Sequence, residues 1–530
     1  MDGGGTLDAP RPPPALTVLL PWALLLAAAS GAPDYETLLA AGLAEGRASR
    51  LGEAAAALDR AIALAPSRPE AWVERGGVRF LEERYAEAAS DLERALTLRD
   101  DPYARDLLAS ALHLAGRTEE ALGHWNALGQ PALRSVSIGG LVHTRDRVAR
   151  RELSLGEGDV LSLDALRASR RRLEETGVFD RVTLRPVPLG DGRADLEVAL
   201  GERHGPAASL AEGLATAGID ALHGRVRLRW SNLLGRGLTV GGSYRWAENR
   251  PEASVSLLAP RPFGLPANLH LQVFNGRQAY ALGNALGSGL ESKRGGFDLG
   301  LRRVLDGRTT VEAGARWRDR TFSEPFPGAP PGVVAGLEAR VERRLHEDHR
   351  QRLDLALGAF RTASSLGSDL SFTKAGLELA YLGHLAAPEQ VRVERSVVAA
   401  RLRLGWGDDG MPVDEMFAPG GSPDMELPLR AHRQTVDGVL GGSPIGRSFA
   451  LVNVEWRRRL TRSGPVPLGL VLFYDGSWVD RGPAAGVPVL HDVGVGVRLA
   501  LPGSGVVRID YGHGLTDGAN AVFIGLNQSF

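Results

Sequence analysis

Cysteine is missing from all 530 positions of the chain. Its absence excludes a disulfide framework, a thiolate nucleophile and a cysteine-linked lipid anchor. Excess charge is also missing, because the formal net charge is −1, and this gives no reason to expect a nucleic-acid partner. Beyond the N-terminal segment, no run approaches the roughly 20 consecutive apolar residues that a membrane-spanning helix needs. Any membrane crossing is therefore expected to be made by strands.

The N-terminus carries one apolar run, from Ala15 to Ser30, interrupted by Pro21. The run is short for a membrane span, and small residues follow it, as in the apolar region and cleavage site of a signal peptide. A signal anchor is the alternative. We therefore expect residues 1–32 to be an export signal. At 530 residues, the remaining chain is long enough for about three domains.

Residues 33–130 are rich in Ala, Leu, Glu and Arg at helical spacing, and the segment matches itself at a shift of 34 residues. Such a period, with small residues where two helices cross, resembles the tetratricopeptide repeat. Stacked helix pairs leave a concave face for a peptide or protein partner. The unit could also be only a spacer or a dimer contact. The matching positions are Gly42 with Gly76, Ala54 with Ala88, Leu58 with Leu92, and Ala61 with Ala95.

Residues 131–204 read in the order strand, helix, helix, strand, strand. This order, with the phrase LEETGVFDRV, resembles the POTRA (polypeptide-transport-associated) module. The resemblance implies a periplasmic domain that binds clients or partners by adding a strand to its exposed edge. The arginines of its second helix are expected to form a solvated basic face. The signature positions are Leu173, Gly177, Phe179, Asp180 and Val182.

Residues 205–530 show repeated strand-like alternation, and no amphipathic helix is expected after His204. Charged residues at every second position suit the wet interior of a wide transmembrane β-barrel, with the apolar neighbours facing lipid. At roughly twenty residues per strand and loop, this region predicts an antiparallel barrel of about 16 strands. A soluble multi-sheet domain is the alternative. In the first run, Val226, Leu228 and Trp230 alternate with Arg225, Arg227 and Arg229.

The last run has an apolar face formed by Val522, Ile524 and Leu526, and the chain ends on Phe530. This pattern suits the strand that closes a transmembrane β-barrel against its first strand, and an ordinary half-buried strand is the alternative. Gln528 interrupts the apolar face. By resemblance to outer-membrane barrels, Gly525 and Phe530 fit a C-terminal assembly signal.

Together, these segments resemble the outer-membrane insertase and translocase superfamily, which includes the Bam and Tam assembly proteins, bacterial surface antigens and two-partner secretion transporters. Members fold a long loop into the lumen, with an arginine at its tip. Here Ala431 and His432 follow that arginine, in place of the family's usual Gly and aromatic residue. Ala tolerates positive φ poorly, so this departure argues against the tight backbone turn that the family forms at the loop tip. A solvated loop arginine is the alternative for the tip position. The matching loop residues are Phe417, Gly420, Gly421 and Arg430, and the candidate acidic partners of Arg430 are Glu455, Asp475 and Asp510.

No catalytic constellation is visible, so we expect neither an enzyme nor a cofactor. His346 and His349 are three residues apart rather than the four of a helical zinc motif, so we expect no metal site. The resemblance implies insertion or translocation of extended client polypeptides, with the repeats and the POTRA-like module binding partners in the periplasm and the barrel in the lipid bilayer of the outer membrane. A passive export pore for polysaccharide or a solute is the rival hypothesis, and a surface antigen without transport activity is a third.

Overall fold

The computed structural model describes residues 33–530, except 204, 206–208, 282–289, 327, 349, 386–395, 423–425, 462–466, 481–488, 502–504 and 529–530. The predicted export signal at residues 1–32, His349 and Phe530 lie outside the described residues. The chain divides into two compact units. The first contains the chain up to Gly139 with Ser154–Leu166 and Thr183–Val198, and the second contains Gly140–Leu153, Arg167–Val182 and Ala199–Phe530.

Six helices form the first part of the chain and confirm the predicted helical repeat. Small residues allow each pair to approach closely, since a Cβ on Gly42 would lie 2.6 Å from the Leu58 side chain, and one on Gly76 would lie 2.8 Å from Leu92. Both leucines are fully buried. The helices are α1 (Tyr35–Arg47), α2 (Leu51–Leu64), α3 (Pro69–Leu81), α4 (Tyr85–Leu98), α5 (Pro102–Leu114) and α6 (Thr118–Ala127).

Replacing Gly42 by alanine is expected to destabilise the repeat by about 1–3 kcal/mol, because the new Cβ overpacks against Leu58. Gly46→Ala in the same helix is the matched control, since the nearest atom to its Cβ is Ala54 Cβ at 4.0 Å. That substitution should be neutral or stabilise by up to about 1 kcal/mol, because Ala favours helix. Thermal unfolding followed by helical circular dichroism measures both. Equal melting temperatures for the two variants would contradict the packing argument.

The predicted α/β module is also present. Its three strands pair in the order β1–β3–β2, so β2 forms one edge of the sheet. Its elements are β1 (Ala132–Gly139), α7 (Asp146–Arg150), α8 (Leu163–Glu175), β2 (Phe179–Pro188) and β3 (Arg193–Glu202).

A closed barrel follows. Its wall strands pair with their neighbours in the described residues, and β13 pairs directly with β16, because β14 and β15 form a short hairpin in the loop between them. The wall strands are β4 (Arg225–Leu233), β5 (Leu238–Arg245), β6 (Glu252–Ala259), β7 (Asn268–Tyr280), β8 (Leu290–Val304), β9 (Thr309–Phe322), β10 (Gly332–Glu347), β11 (Gln351–Thr362), β12 (Thr373–His384), β13 (Ser396–Gly407), β16 (Ser448–Arg459), β17 (Leu468–Asp480), β18 (Leu490–Ala500), β19 (Val506–Gly514) and β20 (Asn520–Leu526), with β14 (Thr435–Val436) and β15 (Val439–Leu440) in the loop.

Strand β10 shows how the predicted alternation builds the wall. Leu337 and Val341 are exposed on its outer face. On its inner face, Glu338 accepts a hydrogen bond from Arg316 at 2.9 Å, and Glu342 accepts one from Arg302 at 2.6 Å. Apolar side chains can face lipid while charged pairs face a wet interior, which is the arrangement expected of a transmembrane barrel.

The arginines of α8 were expected to be solvated, and that interpretation is wrong for two of them. Arg167 is buried with its Nε 3.5 Å from Glu347, and Arg172 donates to the carbonyl of Val304 at 3.4 Å. Arg167 and Arg172 of α8 therefore lie against the ends of strands β10 and β8, respectively.

Two further expectations from the sequence are wrong. A ninth helix, α9 (Leu210–Leu222), lies where no amphipathic helix was expected. At the C-terminus, β20 ends at Leu526 and Asn527 adopts φ +64°, so the alternation stops before Gln528. Gln528 accepts a hydrogen bond from Arg498 Nε at 3.0 Å rather than interrupting an apolar face. Among the described residues, no helix combines the length and apolar character needed to cross a membrane.

Candidate functional site: the loop inside the barrel

The candidate site is built on residues 408–447, which connect β13 to β16. Because β13 and β16 pair directly, as in Gly405 with Phe449, this connection cannot continue the wall and must leave it. It folds inward, and most of its predicted motif residues are buried. We call residues 408–447 the interior loop.

Arg430 is fully buried at the tip of the interior loop. Its guanidinium donates to Asp475 from Nε at 2.8 Å and from Nη2 at 2.7 Å, which is a bidentate pair, and its Nη1 donates to Glu455 at 2.5 Å. The backbone N–H of Arg430 also donates to Asp475 at 3.1 Å. The guanidinium carbon lies over the ring of Phe473, 3.5 Å from the ring centroid. The structure thus places Arg430 against the inner faces of β16 and β17.

The three candidate acids make unequal contacts that the sequence could not rank. Asp475 forms the bidentate pair and Glu455 a single hydrogen bond, whereas Asp510 lies 3.9 Å from Arg430 and accepts from Arg498 at 2.6 Å. Sequence reasoning missed Asn453, whose amide donates to Asp475 at 2.7 Å and to the carbonyl of Pro428 at 2.8 Å. A second, basic layer on the same wall balances the carboxylates. It consists of Arg457, Arg498 and Arg508.

The two residues that depart from the family pattern have defined partners. Ala431 does not adopt positive φ, so the tip needs no glycine at this position. Its N–H donates to Asp492. The imidazole of His432 lies between two carboxylates, with Nδ1 2.9 Å from Asp492 and Nε2 2.9 Å from Asp517. His432 therefore holds the tip to β18 and to the turn before β20.

His432 predicts a pH dependence of this contact. Burial lowers the pKa of His432, but the hydrogen bonds and charges of Asp492 and Asp517 outweigh burial and raise it. The stabilisation is complete below the ordinary pKa of about 6.5 and is lost as pH rises through the raised value. We expect the urea midpoint to fall between about pH 6 and pH 9, and to fall less in His432→Gln. The same fall in both proteins would contradict this role.

The aromatic and glycine positions of the motif explain how closely the loop packs. The ring of Phe417 packs against that of Phe449, with centroids 4.9 Å apart and the ring planes tilted by 50°. A Cβ on Gly420 would lie 2.6 Å from the hydroxyl oxygen of Ser443, and one on Gly421 would lie 2.1 Å from the ring of Phe523. Only glycine permits the contact with Phe523, which places the loop against the last wall strand, β20.

A second charged contact, at the start of the interior loop, was not found from the sequence. Glu415 is buried, and its carboxylate accepts from Arg318 at 2.9 Å and from Lys374 at 2.5 Å. Its neighbour Asp414 accepts from Arg320 at 2.5 Å. These basic residues belong to β9 and β12. The loop is therefore held by its own carboxylates near its start and by its arginine at its tip.

The remaining predicted residues lie outside this loop. In the α/β module, Leu173 and Phe179 are buried, Gly177 adopts φ +67°, Asp180 is exposed and Val182 is half-buried. In the barrel, Gly525 pairs with Arg508 in the β19–β20 register. His346 is 3.0 Å from Asp348.

Two family models match the chain. The POTRA model, described as "Surface antigen variable number repeat", matches residues 131–203. The Omp85 superfamily domain matches residues 232–523, more than half of the chain. No curated protein matches.

Solved structures match about three quarters of the chain. CdiB from Escherichia coli is 14% identical, with a TM-score of 0.53, 74% of this chain and 75% of that chain being covered. CdiB from Acinetobacter baumannii is 14% identical, with a TM-score of 0.49, and the match covers 74% of this chain and 73% of that chain. BamA from Haemophilus ducreyi lacking POTRA domains 1–3 is 15% identical, with a TM-score of 0.42, and the match covers 74% of this chain and 82% of that chain. At these identities, the likeness to the E. coli structure shows a shared fold.

Proposed function

Since the chain belongs to the Omp85 superfamily, we propose that it assists the insertion or translocation of client proteins at or across the outer membrane. In this proposal the barrel lies in the outer membrane, and the helical repeats and POTRA module lie in the periplasm. The work needs no covalent chemistry, because exchanging hydrogen bonds between strand edges is sufficient.

The observation that carries this proposal is the buried contact of the interior loop. Arg430 is fully buried between Glu455 and Asp475 at the tip of the loop, and Glu415 is paired with basic residues of β9 and β12 near the start of the loop. A loop fixed at two places inside the barrel obstructs the interior and supports the wall beside the last strands. That arrangement suits work at the wall better than free diffusion through an open channel.

Client capture is proposed at an exposed strand edge of the periplasmic arm. Strand β2 forms one edge of its three-stranded sheet. An edge strand offers a row of N–H and C=O groups, so an extended polypeptide can pair with it independently of most of its side chains. The concave face of the helical repeats is a second proposed contact for periplasmic partners.

The barrel seam, where β4 meets β20, is the proposed site of client insertion. Every described pairing from β4 along the wall to β20 is antiparallel, and the fourteen steps leave β20 running in the same direction as β4. Parallel pairs are slightly less stable per residue than antiparallel ones. The seam is therefore the part of the wall that an incoming strand replaces most easily.

Site-specific photo-crosslinking tests the proposal. A photoreactive residue at Leu228, 70% exposed on the seam strand β4, is expected to capture polypeptides while outer-membrane proteins are being synthesised. Leu357, 47% exposed on β11, is the matched control because it is outward-facing and distant from the seam along the wall. We expect capture at Leu228 to exceed capture at Leu357 at least several-fold. Equal capture at both positions would contradict insertion at the seam.

A passive export pore is the second candidate, and the charged pairs on the inner wall favour it. A pore for polysaccharide or a solute would conduct ions across a planar bilayer and would capture no polypeptide at Leu228. An insertase would capture polypeptides at Leu228 and would conduct few ions. A surface antigen without transport activity would show neither.

A further inference from the structure

The outer face of the barrel wall carries a groove near the rim farthest from α8. Strand β7 begins beside α8, because the side-chain amide of Asn268 donates to the carbonyl of Glu175 at 3.1 Å. From Asn268 to Arg277 the strand is about 30 Å long, and at a tilt of roughly 40° it spans most of the roughly 25 Å apolar band of such barrels. The groove has a volume of about 620 Å³, and Arg277 is among its lining residues. It therefore lies at the edge of the apolar band, at the end away from α8.

The strand register shows which side chains share this part of the outer face. Val273, Phe297 and Trp317 are neighbours across β7, β8 and β9, and the rings of Phe297 and Trp317 stack with centroids 6.2 Å apart. Val273 and Phe297 are exposed, so this row faces lipid. Every second residue of a strand lies on the same face. The next outward-facing residues toward the rim are Asn275, Gly295 and Asp319, followed by Arg277, Lys293 and Thr321.

The row that contains Trp317 marks the level of the membrane interface. Aromatic residues form girdles at both interfaces of outer-membrane barrels, because their rings are apolar and their polar atoms reach water. Exposed aromatic residues recur near the same rim, at the ends of strands that run in the same direction as β7 and β9. The side chains beyond Trp317 therefore lie at the level of the lipid headgroups. The recurring aromatic residues are Tyr244 of β5, Trp406 of β13 and Trp478 of β17.

Two cations lie directly opposite one another in this headgroup layer. Arg277 pairs with Lys293 in the β7–β8 register, and both side chains are exposed. Like charges directly opposite each other destabilise a sheet. The guanidinium of Arg277 lies 3.7 Å from the carboxylate of Glu291, and Lys293 makes no ion pair within the described part of the chain. An anion bound between Arg277 and Lys293 would relieve their repulsion.

The polar groups beside the two cations suit a sugar. Asn275 and Asp319 lie on either side of Gly295, which has no side chain and leaves the groove open between them. Among the described residues, neither side chain makes a hydrogen bond or an ion pair. Polar groups that lose water without gaining a partner are costly, and amide and carboxylate oxygens accept hydrogen bonds from hydroxyl groups. A ligand that carries both a phosphate and hydroxyl groups would therefore satisfy the whole groove.

We propose that this groove binds a phosphorylated glycolipid of the outer leaflet, with a phosphate between Arg277 and Lys293 and sugar hydroxyls on Asn275 and Asp319. Its acyl chains lie along the apolar row of Val273 and Phe297. Cation contacts with a phosphate are charge-assisted hydrogen bonds, which are about twice as strong as neutral ones. The site rests on the proposed outer-membrane location and not on the proposed client role.

Binding of lipid A, a diphosphorylated and acylated disaccharide, tests the proposal. Native mass spectrometry of the full-length protein in neutral detergent measures the affinity. For the double variant Arg277→Gln/Lys293→Gln, we expect the affinity to fall on the order of a hundred-fold, about tenfold for each charge-assisted contact removed. Arg303→Gln/Arg343→Gln is the matched control, because both arginines are exposed on the outward faces of β8 and β10 near the opposite rim. Equal affinity in the wild-type protein and the Arg277/Lys293 variant would overturn the site.

Urea unfolding in vesicles separates lipid binding from a structural role of the same residues. In vesicles of phosphatidylcholine alone, the Arg277/Lys293 variant should be at least as stable as the wild type, because the repulsion between the two cations is removed. Adding lipid A should raise the urea midpoint of the wild type and of the Arg303/Arg343 control, since a ligand stabilises the folded state that binds it. The midpoint of the Arg277/Lys293 variant should rise much less. An equal rise in all three proteins would contradict a specific site.

Two further probes identify the source of the phosphate. Phosphatidylglycerol carries a phosphate and acyl chains without a sugar, and inorganic phosphate carries neither sugar nor chains. We expect both to bind more weakly than lipid A. Phosphatidylglycerol binding as tight as that of lipid A would overturn the glycolipid, and equally tight binding of inorganic phosphate would overturn a lipid ligand altogether. These measurements contain no client, so their failure would leave the capture experiment at Leu228 unaffected, and failure of that capture would leave the lipid site standing.

Discussion

Replacement of Arg430 by methionine is expected to destabilise the protein by about 3–5 kcal/mol, the cost of leaving buried charges without their partner. Glu455 and Asp475 are fully buried and both bond to Arg430. Methionine fills a similar volume but donates no hydrogen bond. The loss should appear as a lower urea midpoint for unfolding of the barrel in detergent or liposomes.

Lysine at position 430 should give an intermediate loss. It keeps the charge but cannot reproduce the planar bidentate contact with Asp475 or the stacking on Phe473. The pKa of Arg430 is raised in place, because the neighbouring carboxylates outweigh the effect of burial, so the arginine remains charged at any accessible pH.

Arg433→Ala is the matched control, since Arg433 is exposed in the same loop. Surface substitutions of this kind usually change stability by less than about 0.5 kcal/mol. If Arg430→Met were no more destabilising than Arg433→Ala, the contact of the loop tip would have no energetic importance.

The sequence predicted the features that follow from a regular spacing of residues along the chain. A shift of 34 residues identified the helix pairs, because the small residue at Gly42 or Gly76 is required wherever two helices cross closely. Alternation identified the wall strands, because each strand has one face toward lipid and one toward the interior. The motif with Gly421 identified the interior loop, and the structure shows why glycine is needed there, at the contact with Phe523.

The features that it missed depend on which strands become neighbours. Glu455, Asp475 and Asp510 are all on inner faces, but only the three-dimensional arrangement of β16, β17 and β19 decides which carboxylate reaches Arg430. In the sequence, Asp414 and Glu415 cannot be distinguished from ordinary acidic loop residues. Their partners are arginines of β9 and a lysine of β12, which only the folded barrel brings close to them.

The spacing of apolar residues also fails to predict α9. Its sequence is rich in Ala and Gly, so it lacks the clear contrast between an apolar and a polar face by which a helix is recognised. Gln528 illustrates the opposite error. The alternating pattern predicts that the last strand continues to Gln528, but the strand ends at Leu526 because Asn527 adopts positive φ. A two-residue period in the sequence does not reveal such a change of backbone conformation.

Glu415→Gln is expected to cost about 3 kcal/mol, because it leaves Arg318 and Lys374 beside a neutral, buried amide. Burial raises the pKa of Glu415, but the charges of Lys374, Arg318 and Arg316 outweigh burial and hold it well below its ordinary range. A depressed pKa gives stabilisation that is complete above about pH 4.3 and is lost as pH falls through the lowered value. The full effect is therefore present at neutral pH. Glu426→Gln, an exposed acid in the same loop, is the control.

Combining Glu415→Gln with Arg430→Met separates two ways in which the loop could be held. If each end is sufficient to keep the loop inside the barrel, either single variant should keep a low ionic conductance in planar bilayers. The double variant should then release the loop and conduct several-fold more than the sum of the single variants. A purely additive conductance would mean that each contact stabilises only its own part of the wall. Because the two charged contacts lie on different strands, β9 with β12 and β16 with β17, only a loop that joins them mechanically can produce the larger increase.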